Sequence, residues 1–189
     1  MARWHVQPTT LDREVARIIA RHAKPPVEHA TSTVTVAADD RPLLAAAAGL
    51  WLLSRLGSGH RRRQADYLAL NVVVTAAVPR ILKHFIAQQR PDRTMVHGRR
   101  HGIPRSGKAD DAFPSGHAMH VGALSAAVAR LWPRSAPIAW AAGGLLAATR
   151  VVVLAHWVSD VVAGFMLGVG VEHILDAGHV LKPPAGERD

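Results

Sequence analysis

FPSGHAMHVGALSAAVARLW, Phe113 to Trp132, joins a turn-forming tetrapeptide to a long alanine-rich apolar run. Pro114 suits a chain about to enter a helix, Ser115 is a good cap, and Gly116 permits a backbone turn that presents N–H groups outward. Ala118 to Trp132 then supplies the helix. Such an N-terminus also binds phosphate, through its unpaired N–H groups and the positive end of its dipole. The stretch therefore has two readings, a plain cap with His117 as a passive surface residue, or half of a reaction centre.

The same helical character extends outward along the chain. Five apolar segments occur: Leu43–Leu53, Tyr67–Ile86, Ala118–Trp132, Ile138–Ala155, and Val158–Val171 with an extension to Leu175. Gly57-Ser58-Gly59-His60 with Arg61 to Arg63, the basic loop Gln88 to Asp111, and Trp132-Pro133-Arg134-Ser135 separate them. Upstream, Leu11 to His22 places Leu11, Val15, Ile18 and Ile19 on one side and Asp12, Arg13, Arg17 and Arg21 on others, with Thr9 and Thr10 as possible caps, an amphipathic helix. Lys24-Pro25-Pro26 ends it. The expected fold is all-α, a helical bundle with about five transmembrane helices plus this N-terminal helix. Residues 1–41 form the helix and linker, 42–176 the bundle, and 177–189 a polar tail.

Composition agrees. The 189 residues are the size of one domain, 49% hydrophobic but only 5% aromatic, and the alanine-rich runs favour helix. Without cysteine there is neither a disulfide framework nor a thiolate metal site. A net charge of +9 implies an anionic partner: nucleic acid, a membrane surface or a phosphorylated substrate. No basic recognition helix with interleaved aromatics is visible, so nucleic acid is not the expected partner. Gly143, Gly144, Gly164, Gly168 and Gly170 allow close helix approach in a membrane, and Trp51, Trp132, Trp140 and Trp157 lie near segment ends, where interfacial aromatics belong. The N-terminus, with charges scattered through it, does not read as a cleaved signal peptide.

Two further stretches carry chemistry. In KHFIAQQRP, Lys83 and Arg90 stand seven residues apart, so both reach one side if the helix continues, and two converging cations call for an anion between them. Taken alone, they equally suit the flank of a membrane segment. In TRVVVLAHWVSD, Arg150 interrupts an apolar run, which is costly unless it meets an anion. His156 and Asp160 are four apart, one helical turn, so the carboxylate is expected to accept from one imidazole nitrogen and leave the other as a nucleophile. A local His/Asp cap or half of a metal site is the plainer reading of that pair. Together the three stretches hold cations, a hydroxyl, a backbone N–H nest and two histidines, the inventory of phosphoryl transfer.

The combination resembles the type 2 phosphatidic acid phosphatases, a family that includes bacterial acid phosphatases and vanadium haloperoxidases. Its signature is Lys, six residues, Arg-Pro; then Pro-Ser-Gly-His; then Ser-Arg, five residues, His, three residues, Asp. Lys83, Arg90 and Pro91, then Pro114 to His117, then Arg150, His156 and Asp160 match it in order. The one departure is Thr149, which stands where the family has serine and keeps the hydroxyl.

The resemblance implies that His156 attacks phosphorus to form a phosphohistidine, with Asp160 holding its tautomer. It also implies that His117 protonates the leaving oxygen and later activates water. Lys83, Arg90 and Arg150, with Ser115, Gly116 and Thr149, would bind the phosphate oxygens, with no metal or cofactor. His97, His101 and His120 read instead as loop, interface or supporting residues. The expected protein is a multi-pass enzyme of the cell membrane, surrounded by membrane lipids and acting on a lipid phosphate. Phosphatidate, phosphatidylglycerol phosphate, a polyprenyl phosphate or diphosphate and a prenyl-linked sugar phosphate are the candidates. Left open beside this are a soluble-type acid phosphatase for small esters, a haloperoxidase, and a non-catalytic membrane protein binding anionic lipid headgroups.

Overall fold

A computed structural model describes residues 3–22, 40–95 and 108–178. The Pro25-Pro26 linker, most of the basic loop with His97 and His101, and nearly all of the polar tail lie outside the described residues. The described chain is a helical bundle. Its helices are α1 (Thr10–His22), α2 (Asp40–Ser54), α3 (Gly59–Phe85), the single turn α4 (Pro91–Thr94), α5 (Gly116–Leu131), α6 (Ala136–Val152) and α7 (Val158–Ala177). Two short strands, β1 (Trp4–His5) and β2 (Ile86–Ala87), pair in parallel.

The helix opened by FPSGH is the centre of the bundle. Along α5, residues 117–123 are buried without a break, because α3, α6 and α7 all pack against it. Small residues make this possible. At Gly164 and Gly168 of α7, an added Cβ would fall inside 3.0 Å of the carbonyl oxygens of Ser115 and Met119, so the two backbones touch where any side chain would hold them apart.

Several polar groups inside the bundle are paired. The Tyr67 hydroxyl donates to buried Glu172 at 2.5 Å, which also accepts from Arg130 at 2.6 Å, and His120 Nδ1 lies 2.8 Å from Thr75 Oγ1. Such pairing offsets the cost of burying these groups.

Among the described residues, three helical stretches are long and apolar enough to cross a membrane: Gly59–Phe85, Pro133–Val152 and Val158–Ala177. Of the other expected segments, α2 has 15 residues and α5 has 16. Leu50, Leu53, Ile138, Leu145, Val162, Met166 and Ile174 are exposed on the outer surface, as lipid-facing side chains are. The expected separator at Arg61 to Arg63 is instead the first turn of α3, which begins at Gly59.

The N-terminal helix differs from its sequence reading in which face it buries. Leu11 and Ile18 are exposed, whereas Asp12 and Ala16 are buried, and Ile19 and Ala20 pack against the cluster of Ala16, Ala112, Leu154 and Trp157. The reason is a polar anchor. Asp12 Oδ1 accepts from the Ser159 backbone N–H at 2.9 Å and Oδ2 from its hydroxyl at 2.7 Å, so α1 caps the start of α7 from outside. Asp12 Oδ2 also closes a local cap with the Thr9 N–H and hydroxyl. Burial works to raise the Asp12 pKa, but the bonds from Ser159 and Thr9 outweigh it and hold the carboxyl below 3.8.

Candidate active site

Three chain ends meet at one rim of the bundle: the end of α3, the start of α5, and the turn between α6 and α7. They enclose a cavity of about 150 Å³ lined by Lys83, Arg90, Gly116, His117, Arg150 and His156, with Ala76, Pro79 and Arg80 on its α3 side. Six of the nine residues expected from the sequence thus line one cavity, and Arg80 adds a cation the sequence reading left out.

The first wall departs from expectation. α3 does not continue to Arg90: it stops at Phe85, because Ile86 and Ala87 leave it to pair with Trp4 and His5. The Arg3 guanidinium donates to the carbonyls of Lys83 and Ile86 at 2.8 and 2.9 Å, satisfying acceptors that a helix end leaves open. Arg90 instead lies on an extended segment beside residues 108–112, joined by backbone bonds to Ala109, Asp110 and Ala112.

That pairing positions a residue the sequence reading missed. Asp111 accepts from Arg90 Nε at 2.8 Å and lies 3.9 Å from Lys83 Nζ, so one carboxylate holds both cations toward the cavity. The available signal was an acidic residue two positions ahead of FPSGH in a strongly cationic chain.

The second wall is the start of α5. Ser115 is its N-cap, fully buried, and its hydroxyl accepts from the Ala118 N–H at 3.3 Å. Ser115 therefore shapes the cavity without lining it. The amides of Gly116 and His117, at the first two helical positions, have no intrahelical acceptor by helix geometry. The Ser115 N–H donates to the Asp160 carbonyl at 3.2 Å, locking the start of α5 to the start of α7.

The third wall overturns the reading of His156 and Asp160 as neighbours on one helical turn. α6 ends at Val152 and α7 begins at Val158; His156 lies in the turn between them. Leu154 takes a φ of 54° there, a left-handed conformation costly for leucine, while its side chain packs in the cluster with Ala16, Ala112 and Trp157. The Arg150 carbonyl accepts from both Ala155 and His156 N–H groups.

The imidazole is consequently oriented by a backbone group. His156 Nδ1 lies 2.7 Å from the Ala112 carbonyl and must carry the proton it donates there. Nε2, left with its lone pair, lies 3.3 Å from Arg90 Nη1. Asp160 Oδ2 is 3.8 Å from His156 Nδ1 and accepts the Trp157 N–H at 2.9 Å. It stands behind the ring and caps α7. Burial first, then the charges of Arg90, Arg150 and Lys83, hold the imidazole pKa well below 6.5. The ring is thus a neutral base with Nε2 toward a cationic cavity.

Thr149 stands apart from this group. Its hydroxyl donates to the Leu146 carbonyl at 2.5 Å, and it does not line the cavity.

The sequence profile of the PAP2 superfamily matches residues 65–176, a span holding all three motifs. The chain belongs to the PAP2 superfamily. A lipid A 1-phosphatase of Rhizobium johnstonii is 35% identical over 166 residues, covering 81% of this chain and 68% of that protein. A lipid A 1-phosphatase of Rhizobium etli is 42% identical over 103 residues, covering 54% of this chain and 44% of the relative. The crystal structure of a transmembrane PAP2 type phosphatidylglycerolphosphate phosphatase from Bacillus subtilis superposes with a TM-score of 0.60 at 18% identity, covering 92% of this chain and 87% of that one; at that identity it shows a shared fold. As a PAP2 member with helices of membrane-crossing length, the protein is a membrane lipid phosphatase.

Proposed function

We propose that this PAP2 phosphatase removes the phosphate from a lipid phosphomonoester through a phosphohistidine on His156, with the glycosyl 1-phosphate of an acylated sugar as its first candidate substrate. The observation that carries the chemistry is the orientation of His156, whose Nδ1 is committed to the Ala112 carbonyl while Nε2 faces the cation-lined cavity. The substrate class is supported by the similarity to lipid A 1-phosphatases.

Phosphate oxygens enter between Lys83, Arg90 and Arg150 and the first amides of α5, a set that neutralises charge developing on them. Nε2 forms a bond to phosphorus as the bond to the lipid oxygen breaks, and His117 gives that oxygen its proton. The positive ring of phosphohistidine is stabilised by the Ala112 carbonyl and by Asp160 behind it. Water then attacks phosphorus, His117 takes its proton, and the P–N bond breaks to release inorganic phosphate. Ser115 and Asp160 act by fixing the two helix starts, and Thr149 by closing the last turns of α6. Our reading includes a multi-pass position in the cell membrane, which the three crossing-length helices among the described residues support.

The test is a brief reaction of the parent protein with ³²P-labelled lipid A, phosphatidylglycerol phosphate and phosphatidate, followed by denaturation in base. An acid-labile label on His156 is expected in the parent and none in His156→Ala, which loses turnover. Hydrolysis by His156→Ala at the parent rate overturns the assignment.

A further inference from the structure

The amino-terminal helix α1 divides into three sectors around its axis. Asp12, Ala16, Ile19 and Ala20 turn toward the bundle. Leu11, Val15 and Ile18, spaced as one helix face, form a second sector; Leu11 is 61% and Ile18 58% exposed, and Val15 is half-buried. Arg13, Arg17 and Arg21, four residues apart and all exposed, form the third, against one exposed carboxylate, Glu14. Arg13 is engaged locally, donating to the Pro8 carbonyl at 3.0 Å. The helix thus carries an uncovered apolar stripe as well as the face it docks with, and a cationic row beside both.

The docking contacts fix where that stripe lies. Asp12 ties α1 to Ser159, the second residue of α7, and Ala16, Ile19 and Ala20 pack with Leu154 and Trp157 in the turn before it. Because α7 is of membrane-crossing length, α1 lies level with the end of a span. β1 is held at the end of another: it pairs with β2, which directly follows the last residue of α3, Phe85. Trp4 is 80% exposed there, and Phe85 is exposed too. Both elements of residues 4–22 therefore stand where crossing-length helices stop, with apolar and aromatic side chains outward.

We propose that residues 4–22 are an interfacial anchor, in which the Leu11, Val15 and Ile18 stripe enters the outer hydrocarbon of the bilayer while Arg17 and Arg21 pair with anionic lipid headgroups. The proposal rests on the membrane placement above. Charge complementarity selects the occupant: an apolar stripe beside a row of arginines matches a surface whose hydrocarbon lies under a layer of negative charge. Depth agrees, because α1 lies where a span ends, and exposed aromatics such as Trp4 and Phe85 belong at that level. Since α1 packs on Leu154 and Trp157, the residues flanking the Ala155-His156 pair, the anchor holds the turn that carries His156 at the level of the headgroups.

The chain has no cysteine, so Leu11→Cys, Ile18→Cys and Arg17→Cys each give the full-length protein one site for a nitroxide spin label. Leu145→Cys, on the exposed outer side of α6, reports on a span. Each labelled protein is placed in nanodiscs of phosphatidylcholine and phosphatidylglycerol, and its collisions with oxygen, which concentrates in hydrocarbon, are compared with those of a water-soluble nickel chelate. Oxygen is expected to dominate at positions 11, 18 and 145, and nickel at 17. In phosphatidylcholine alone, nickel collisions at 11 and 18 are expected to rise about twofold as the arginines lose their anionic partners; no rise overturns the headgroup pairing. Nickel dominance at 11 and 18 beside oxygen dominance at 145 overturns the anchor alone. Few collisions with either reagent at 11 and 18 show a protein covering the stripe and overturn it as well. Nickel dominance at 145 removes the membrane placement, and the anchor with it.

Discussion

Gly164→Ala tests whether the contact between α5 and α7 sets the geometry of the reaction. A Cβ at residue 164 falls more than half an ångström inside the 3.0 Å limit from the Ser115 carbonyl oxygen, and it also crowds the Ala118 Cβ at 3.3 Å. The contact has to open by at least that amount. The carbonyl belongs to the cap of α5, two residues before His117, while residue 164 lies one helical turn beyond Asp160. Opening the contact therefore moves His117 and the amides of α5 relative to His156. Overpacking of this size costs about 1 to 3 kcal/mol of stability. Displacement of catalytic groups by about 1 Å costs up to about a hundredfold in rate, so a shift of half that gives a fall in kcat of about tenfold. The assay is kcat on para-nitrophenyl phosphate in detergent, beside the thermal midpoint, with Gly170→Ala as a control that meets no neighbour. A Gly164→Ala protein with parental kcat would refute the claim that this helix contact spaces the two histidines.

Two further outcomes follow from the site. Asp111→Asn keeps an oxygen for Arg90 Nε but loses the charge that holds Lys83 and Arg90 together. Steady-state kinetics should show kcat falling about tenfold, about 1.4 kcal/mol, with KM for a phosphate ester unchanged or lower, because a negative charge beside the anion has gone; parental kcat refutes this role. The pH profile follows from His156. Its folded pKa is depressed, so the native ring stays neutral while the unfolded ring binds a proton below about 6.5. Stability therefore declines as pH falls from about 6.5 toward the folded value, and the acid limb of kcat/KM due to this ring lies below pH 6.5. An acid limb at or above 6.5 that is lost with the remaining activity of His156 variants contradicts the buried, cation-flanked ring.

Much of the site was legible because its parts are local. Pro114 to His117 form the helix start that their residue types predict, and Lys83, Arg90, Arg150 and His156 meet at one cavity. Misreadings arose where a contact distant in sequence outweighed local pattern. Pairing with Trp4 and His5 ended α3 before Arg90. The left-handed turn at Leu154 placed His156 outside α7, so the partner of Nδ1 is a carbonyl 44 residues away rather than the carboxylate one turn on. The buried face of α1 was set by Asp12 reaching Ser159 across 147 residues, against the hydrophobic stripe.

By itself, the sequence determined the helical bundle and brought forward the candidate residues of its phosphate site, since apolar periodicity, caps and charged residues in apolar runs act over a turn or two of chain. Only the tertiary structure decided which nitrogen of His156 faces the cavity and that Asp111 lies against both Lys83 and Arg90. Those depend on which backbone groups and helix faces meet in space, and no local spacing encodes them.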